Sequence, residues 1–485
     1  MPQKPGIYFE NHANIVFSQH QKELFMVRSL PPMSHPNFVV LGSGMAGFGA
    51  ARRLHAEGIT PIMFDKNSYH GGHTTSFKNE AGFIFDMGPH ISYTKDPRIQ
   101  EIFADSVDQR YETIQIYLNN YWRGHWPQHP VQLHLHGLPH DLVIKVISDF
   151  VEEKNAPERA IHNYADWLYS SFGKTFAETF PMQYTRKYHL TDAENLSTDW
   201  LGPRIYRPSL EEVLLGALSP TAPHVHYVTH FRYPSDGGFV RYLTKFVPLG
   251  NLHLGHSLVS IDPIARTLSF SNGASVQYEQ LISSVPLPEL VPMIEGVPGD
   301  VVEAVRRLAC STCVLVNLGI NREDLSKAHM TYFYDEDICF SRLGFPHMLS
   351  SKNAPAGMGS IQAEVYFSSK YKPFTGKPED WIEPVIRDLL RCGVLHEDDQ
   401  IVCKQAMLLK HANIIFDLER ADAVKTVHGY LDDIGIAYCG RYGEWGYLWT
   451  DESFKSGEQA AERALSGAAY PKSTTLSSAL SPMPV

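Results

Sequence analysis

The stretch FVVLGSGMAG, residues 38–47 of a chain of 485, decides the fold together with the acidic residue Asp65. Phe38–Leu41 is apolar and contains β-branched residues, which predicts a buried strand. The pattern of Ala46–Glu57 predicts a helix, and Thr60–Asp65 predicts the next strand. A β–turn–α–β unit of about thirty residues therefore begins with this stretch.

The turn after the first strand is a G-x-G-x-x-G motif in which each glycine has its own task. Gly42 allows the tight turn, Gly44 lets the backbone approach a pyrophosphate, and Gly47 lets helix and strand pack closely. The helix N-terminus offers unpaired N–H groups and a positive dipole end to phosphates. Asp65, 23 positions after Gly42, is expected to accept hydrogen bonds from a ribose. The predicted dinucleotide contacts of this unit are Gly42, Gly44, Met45, Ala46, Gly47, Asp65 and Lys66.

The segments that follow favour FAD over NAD as the dinucleotide. A paired glycine comes directly after the acidic strand end, where backbone lies along the dinucleotide and ribityl chain in flavoproteins. A second glycine-containing loop follows the stretch FIFDM and is expected to lie near the flavin. The predicted contacts of these two loops are Gly71, Gly72, His73, Thr74, Gly88, Pro89 and His90.

The far end of the chain carries the rest of the predicted cofactor site. Gly435–Cys439 is predicted to be a strand, followed by a turn at Gly440 and Arg441 and a helix that opens at Glu452-Ser453. The dipole of this helix is suited to stabilise anionic reduced flavin. Arg441 is expected to contact the phosphates or the ribityl chain; the alternative is a surface salt bridge.

Segments near both ends of the chain are thus expected to share one domain. Leu258 and Val259, in the strand SLVSI, are expected to meet the adenine through backbone hydrogen bonds or else to pack in the core. The predicted division is an extension at 1–36; a discontinuous FAD-binding domain at 37–97, 228–290 and 430–467; a mainly helical insert at 98–227; a mixed sheet and helix substrate domain at 291–429; and a tail at 468–485.

Composition argues against several classes of function. The net charge of −11 and the lack of a basic run argue against nucleic-acid binding. No apolar stretch reaches the roughly 20 residues of a membrane helix, and no secretory signal is recognisable, so we expect a cytoplasmic protein with no membrane partner. Six cysteines do not read as a disulfide framework. The oligomeric state is left open.

The sequence does not predict a metal site. Histidines cluster in one stretch, but no cysteine or acidic cluster completes a tetrahedral ligand set. The C-x-x-C pair, Cys310 and Cys313, lies in an alternating strand pattern and is expected to be structural. The clustered histidines are His125, His129, His134, His136 and His140.

The motifs GSGMAG…D, GGHT, FDMGPH, YPSDGG and GRYGEWGY…DESFKSGEQAA, in this order, resemble the amine-oxidase superfamily of FAD enzymes. Within it, the chain is most similar to eukaryotic UDP-galactopyranose mutases, over residues 37–465. The resemblance implies an α/β fold: a Rossmann-like FAD-binding domain (GR2-type βαβ) with inserted helical and mixed α+β substrate domains. In those mutases the anomeric carbon of a nucleotide sugar is attacked by N5 of reduced flavin, with no net redox. The implied partners are a small-molecule substrate, here a nucleotide sugar, and NAD(P)H as a candidate reductant.

The resemblance also implies catalytic residues. Arg342 falls on an arginine that binds the diphosphate; the alternative is a plain ion pair with Asp335 or Asp337. Tyr332 falls on a substrate tyrosine and Tyr447 on the tyrosine of the C-terminal motif, with core packing as the alternative for both, and one histidine falls on the loop against the flavin. The four predicted catalytic residues are His90, Arg342, Tyr332 and Tyr447.

Three departures from the mutase pattern leave a second class of function open. The other diphosphate arginine aligns with Met182, although Arg186 or Lys187 is a candidate substitute. A further substrate tyrosine aligns near Asn413, and the loop glycine pair is replaced by Gly88-Pro89, which stiffens the backbone. The second class is an FAD-dependent oxidoreductase of the amine oxidase, protoporphyrinogen oxidase or desaturase type that removes a hydride from a small molecule. A non-catalytic flavin-binding role is disfavoured because the cofactor motifs are complete.

Overall fold

The computed structural model describes residues 38–157, 159–202, 205–220 and 228–467. The predicted N-terminal extension and C-terminal tail lie outside these residues. Within the described ranges, none of the helices combines the length and the apolar composition needed to cross a bilayer.

A five-stranded parallel sheet is assembled from segments almost 400 residues apart. Its strands are β1 (Phe38–Leu41), β2 (Ile62–Phe64), β8 (Asn251–His253), β12 (Gln280–Ser283) and β18 (Ile436–Tyr438). Their spatial order is β18–β12–β1–β2–β8. Central β1 is buried along its whole length, which explains why its sequence is a continuous apolar run and does not alternate. The strands predicted near both chain ends therefore belong to one sheet, with β12 between β1 and β18.

Two helices pack against one face of this sheet and against each other. They are α1 (Met45–Ala56) and α13 (Thr450–Ser466). Glycines set their separation: a Cβ added at Gly49 would lie 2.0 Å from Phe454 O, and one at Gly457 would lie 1.9 Å from Ala46 O. The two helices therefore cross at backbone contact, which no other residue type permits at these positions.

The other face of the parallel sheet is covered by short strands and helices. A small antiparallel sheet has the order β11–β10–β9 and packs there through Ile261 and Leu268, together with the helices. The elements of this layer are β9 (Leu258–Asp262), β10 (Thr267–Phe270), β11 (Ser275–Gln277), α8 (Leu287–Leu290), α9 (Gly299–Arg307) and α11 (Arg420–Asp433).

A second, six-stranded sheet has the order β17–β13–β16–β15–β14–β6, and its pairs are antiparallel except for β14 with β6. The helix α10 (Ile382–Arg391) packs on it through Val385 and Leu389. The strands are β6 (Leu118–Tyr121), β13 (Thr312–Ile320), β14 (Met330–Phe333), β15 (Arg342–Gly344), β16 (Gly359–Phe367) and β17 (Ile401–Leu409). Every residue of β16 is buried, including Glu364.

The region predicted as a mainly helical insert also contributes strands. Its helices share a core that includes Phe172, Phe176 and Phe180. However, β5 (Tyr111–Gln115) pairs with β7 (His230–Pro234), and β6 joins the six-stranded sheet. The remaining elements are α2 (Pro97–Ser106), α3 (His140–Asn155), α4 (Tyr164–Phe172), α5 (Lys174–Thr179), α6 (Pro181–Tyr188), α7 (Leu210–Leu218), α12 (Gly440–Gly443) and the hairpin β3 (Ser76–Lys78) with β4 (Ile84–Asp86).

Candidate active site

The carboxyl ends of the parallel strands open onto a cavity of about 850 Å³. The residues that follow β1, β2, β12 and β18 line it, and ligands of open α/β sheets bind at this edge. The cavity continues to side chains of the six-stranded sheet, among them Arg342 and Glu364. The residues predicted for the cofactor and those predicted for the substrate therefore border one space.

Most of the predicted site residues line this cavity. They are Gly42, Gly44, Met45, Ala46, Asp65, Lys66, Gly71, Gly72, His73, Thr74, Gly88, Pro89, His90, Leu258, Arg342, Gly440, Arg441, Tyr447 and Ser453. Gly47 lies behind the wall, where an added Cβ would come within 2.0 Å of Gly42 O.

Besides Gly47, three further predicted residues lie off the cavity wall, each for a structural reason. Side chains alternate along β9, so Leu258 lines the cavity while Val259 is 55% exposed. The predicted helix start at Glu452 is wrong because α13 begins at Thr450; the Glu452 carboxylate accepts a hydrogen bond from Trp449 N at 2.7 Å and caps the helix. The Tyr332 ring stacks on the His129 ring, with the ring centroids 4.8 Å apart, and its side chain is hydrogen-bonded to Arg342.

Two glycine loops face each other at one end of the cavity. Gly42 has a φ of +99°, in the left-handed region that favours glycine. A Cβ on Gly44 would lie 3.7 Å from Gly71 O, and a Cβ on Gly72 would lie 3.4 Å from the Gly44 Cα. The loops thus form a narrow backbone cradle of the kind that a pyrophosphate needs beside a helix N-terminus.

Asp65 is fixed at the end of β2 by its neighbours. Its Oδ2 accepts from Ser43 N at 2.9 Å and from Ser43 Oγ at 2.7 Å, and its Oδ1 accepts from Asn67 N at 2.9 Å. The adjacent Lys66 donates to Glu289, another residue of the cavity wall, at 2.7 Å. Asp65 therefore ties the first turn to the second strand, and its carboxylate borders the cavity.

The histidines of the two later loops are neutral hydrogen-bond partners. Burial lowers the pKa of His73 to about 3 and that of His90 to about 4. His90 Nδ1–H donates to Gly88 O at 2.8 Å. The Tyr442 hydroxyl donates to backbone carbonyls, so it accepts the bond of 2.9 Å from His73 Nδ1–H.

Arg441 projects from the turn after β18 into the cavity. It donates to Leu448 O at 2.9 Å and to Asn413 Oδ1 at 3.3 Å, and its guanidinium lies 4.9 Å from the centre of the Tyr447 ring. Within the described residues no carboxylate lies at salt-bridge distance from it. The Arg441 guanidinium at the cavity wall therefore has no anionic partner among the described residues, contrary to the surface salt bridge considered as an alternative.

Arg342 borders the far end of the cavity in an ion pair. Its Nη2 donates to Glu364 Oε1 at 2.8 Å, and its Nε bonds the other oxygen of the same carboxylate. The predicted alternative partners are engaged elsewhere: Asp335 accepts from Arg123 N at 2.8 Å, and Asp337 pairs with Arg391. The ion pair is bidentate, so the guanidinium has a fixed orientation.

Neither candidate for a second arginine reaches the cavity. Arg186 forms an ion pair with Glu336 at 2.8 Å on the surface. Lys187 donates to Phe333 O at 2.9 Å and Phe340 O at 2.7 Å, and burial lowers its pKa to about 7. Met182 packs in the helical core. The prediction that Arg186 or Lys187 substitutes for the second diphosphate arginine is therefore wrong.

Several cavity residues were not predicted from the sequence. Glu364 carries the clearest missed signal, because a carboxylate inside a continuously buried strand requires a cationic partner. Tyr188 and Tyr366 give no such signal, since only tertiary packing brings α6 and β16 together. The missed wall residues that contribute polar groups include Ser43, Tyr188, Glu289, Glu364, Tyr366 and His411.

The described residues fit a bound dinucleotide. The glycine cradle leaves room for phosphates, and the hydroxyl of Thr450, at the start of α13, is buried on the cavity wall without a partner in the described part of the chain. On a cavity wall, such a hydroxyl is available to a bound ligand or water.

Comparison with known proteins supports this assignment. The family described as NAD(P)-binding Rossmann-like domain matches residues 40–106. The fold resembles reduced UDP-galactopyranose mutase with a TM-score of 0.84, 25% identity and coverage of 90% of this chain and 96% of that one. A putrescine oxidase double mutant shows the same fold at 14% identity, with a TM-score of 0.61 and coverage of 89% and 99%.

Curated relatives match over a shorter stretch. A 15-cis-phytoene desaturase of Glycine max is 30% identical over 102 residues, which is 21% of this chain and 18% of that protein. A 4,4'-diapophytoene desaturase of Staphylococcus haemolyticus is 46% identical over 57 residues, covering 12% and 11%. The segment that matches therefore covers less than a fifth of the length of either relative. The Rossmann-like fold and the FAD cofactor predicted from the sequence are confirmed.

Proposed function

We propose, from the premise that this chain is an FAD-dependent enzyme of the amine-oxidase type, that it acts on a nucleotide sugar as a UDP-galactopyranose mutase does. One observation carries the proposal: the cavity that begins at the glycine cradle ends at Arg342, with Tyr188, Tyr366 and Tyr447 on the same wall. Such a wall offers an arginine and several hydroxyls, which suits a phosphorylated sugar. The likeness to a mutase over 90% of the chain supports it.

In this proposal the protein binds and orients the substrate. Glu364 holds one edge of the Arg342 guanidinium. The side chain is therefore already oriented, and little side-chain entropy is lost when it binds a phosphate oxygen. Arg441 adds a positive charge that no carboxylate in the described residues cancels. Together the two arginines offset part of the negative charge of a diphosphate.

The tyrosines and histidines complete the site without carrying charge. Burial keeps His73 and His90 neutral, so they act as hydrogen-bonding and packing groups and not as cations. Reduced flavin, when bound, supplies a nucleophilic nitrogen for the anomeric carbon of the sugar. The chain's part is to hold that carbon beside the ring and to exclude water while the nucleotide is detached.

The test compares the two redox states of the purified protein. Dithionite-reduced protein is mixed with UDP-galactopyranose, and products are separated by chromatography. We expect ring-contracted product from the reduced protein and none from the oxidised protein. Absence of turnover with all UDP-hexoses, at full flavin occupancy, would contradict the proposal.

Matched arginine variants show whether the ion pair in the cavity is the substrate group. Arg342→Lys removes the bidentate geometry and is expected to weaken nucleotide-sugar binding by about 10- to 100-fold. Arg322→Lys is the control, because Arg322 forms a similar bidentate pair with Asp399 outside the cavity, at 2.6 and 2.9 Å. Equal effects of the two variants would show that only stability was changed.

A second candidate function is oxidation of a small molecule by hydride removal. The observation that favours it is the ion pair in the cavity: Glu364 neutralises Arg342, and within the described residues neither Arg186 nor Lys187 brings a cation to the place of Met182. The desaturase matches point the same way. Bleaching of the oxidised flavin by an amine, a porphyrinogen or a polyene without added reductant would support this function over the mutase reaction.

A further inference from the structure

A chain of three hydrogen bonds connects the two cavity arginines through Tyr366 and Asn413. Arg342 Nη2 lies 3.3 Å from the Tyr366 hydroxyl, Asn413 Nδ2 lies 3.3 Å from the same oxygen, and Arg441 Nη1 lies 3.3 Å from Asn413 Oδ1. Tyr366 and Asn413 come from different segments, β16 and the loop after β17, and both border the cavity.

Donor and acceptor chemistry fixes the direction of each bond. Arginine has only donors, so Arg441 requires the carbonyl oxygen of the Asn413 amide, which turns the amide nitrogen towards Tyr366. Arg342 likewise donates only. The Tyr366 oxygen therefore accepts two hydrogen bonds, and its own proton is committed to neither.

The Tyr366 proton has no acceptor among the described residues. In the described part of the chain, the hydroxyl has no hydrogen bond besides the two that it accepts. Burial raises the pKa of Tyr366 well above its usual value, so the phenol keeps its proton. A hydroxyl that accepts from a guanidinium is also polarised into a stronger donor.

We propose that Tyr366 is a specificity-determining residue that donates a hydrogen bond to an oxygen acceptor of the substrate, beside the Arg342 guanidinium. The inference rests on the proposed function for the identity of that acceptor, a phosphate or sugar oxygen. The hydroxyl supplies an uncharged donor on the cavity wall between the two arginines. It also gives Asn413 a role: its amide accepts a hydrogen bond from Arg441 and donates one to Tyr366, so it couples the two side chains.

The test removes only the hydroxyl. Tyr366→Phe is expected to keep its flavin and to weaken binding of UDP-galactopyranose, measured by flavin fluorescence of the reduced holoenzyme, by about 10- to 100-fold. KM is expected to rise more than kcat falls. Tyr184→Phe is the control, because the Tyr184 hydroxyl is buried without a partner in the described residues and does not border the cavity.

The outcomes separate the inference from the proposed function. Unchanged affinity of Tyr366→Phe, with normal binding by the wild type, overturns the inference alone. If the wild type binds no UDP-sugar, the proposed function fails. A crystal structure of the holoenzyme then shows whether the Tyr366 hydroxyl donates into the cavity. A water or ligand oxygen on the cavity side, at about 2.8 Å from the hydroxyl, supports the inference. A protein acceptor for that proton overturns it.

Discussion

The crossing of α1 and α13 at Gly457 gives the sharpest prediction about the cofactor site. A Cβ at this position would lie 1.9 Å from Ala46 O, 2.7 Å from Ala46 C and 2.9 Å from Ala50 N. These are backbone atoms, which cannot rotate away as a side chain can. To reach ordinary van der Waals contact, Gly457→Ala requires the helices to separate by about 1.5 Å in a close-packed interior.

The expected cost outweighs the gain in helix propensity. Overpacking of this kind costs about 1–3 kcal/mol, whereas alanine gains up to about 1 kcal/mol over glycine within a helix. The displaced α1 also carries the Gly42–Gly47 turn, so the glycine cradle widens. We therefore expect Gly457→Ala to lower both the unfolding free energy and the flavin retained after gel filtration.

The control is the same substitution in an open helical position. Gly429 lies inside α11 and has no atom within 4 Å of an added Cβ. Gly429→Ala is expected to stabilise the protein by up to about 1 kcal/mol in urea unfolding and to leave flavin content unchanged. If Gly457→Ala retained full flavin and unchanged stability, the argument that helix separation positions the cradle would be refuted.

Two further predictions concern buried charges. Arg342→Met leaves Glu364 unpaired and should cost about 3–5 kcal/mol in urea unfolding, while the double variant Arg342→Met/Glu364→Gln should recover most of the loss; no recovery would mean that the pair is not the cause. Burial raises the pKa of Asp86 to about 6, whereas the same group has a pKa of about 4 in the unfolded chain. Protonated Asp86 therefore stabilises the native state at acid pH, by about 3 kcal/mol at most. This contribution is lost as pH rises from about 4 to 6. The stability difference between wild type and Asp86→Asn, followed by melting temperature against pH, should fall across that window; a flat difference would contradict it.

The parallel sheet and its cofactor residues follow from local sequence rules. FVVL, the glycine spacing and Asp65 each have a meaning that depends on neighbours within about thirty residues. That β18 joins the domain of β1 was also predictable, since a strand, turn and helix recur near the C-terminus; its pairing with β12 was not. The predicted start of α13 was wrong because Glu452 caps the helix from its third position and does not begin it.

The substrate end of the cavity was harder to predict because its contacts are made between distant segments. Arg342 was identified by resemblance, but its partner was sought among nearby aspartates, whereas Glu364 lies directly across the ladder from it on β16. Cross-strand pairing of this kind depends on register, which the sequence does not reveal. The same holds for Tyr366 and Asn413, which meet only through the packing of β16 against the loop after β17.

The central claim is that segments from both ends of the chain hold one FAD molecule. Hydrogen–deuterium exchange of deflavinated protein, before and after FAD is added, tests it directly. The account predicts that FAD slows exchange in residues 42–47 and 71–74 and, to a similar degree, in residues 440–457. Protection confined to the N-terminal segment, with no change after residue 440, would contradict it.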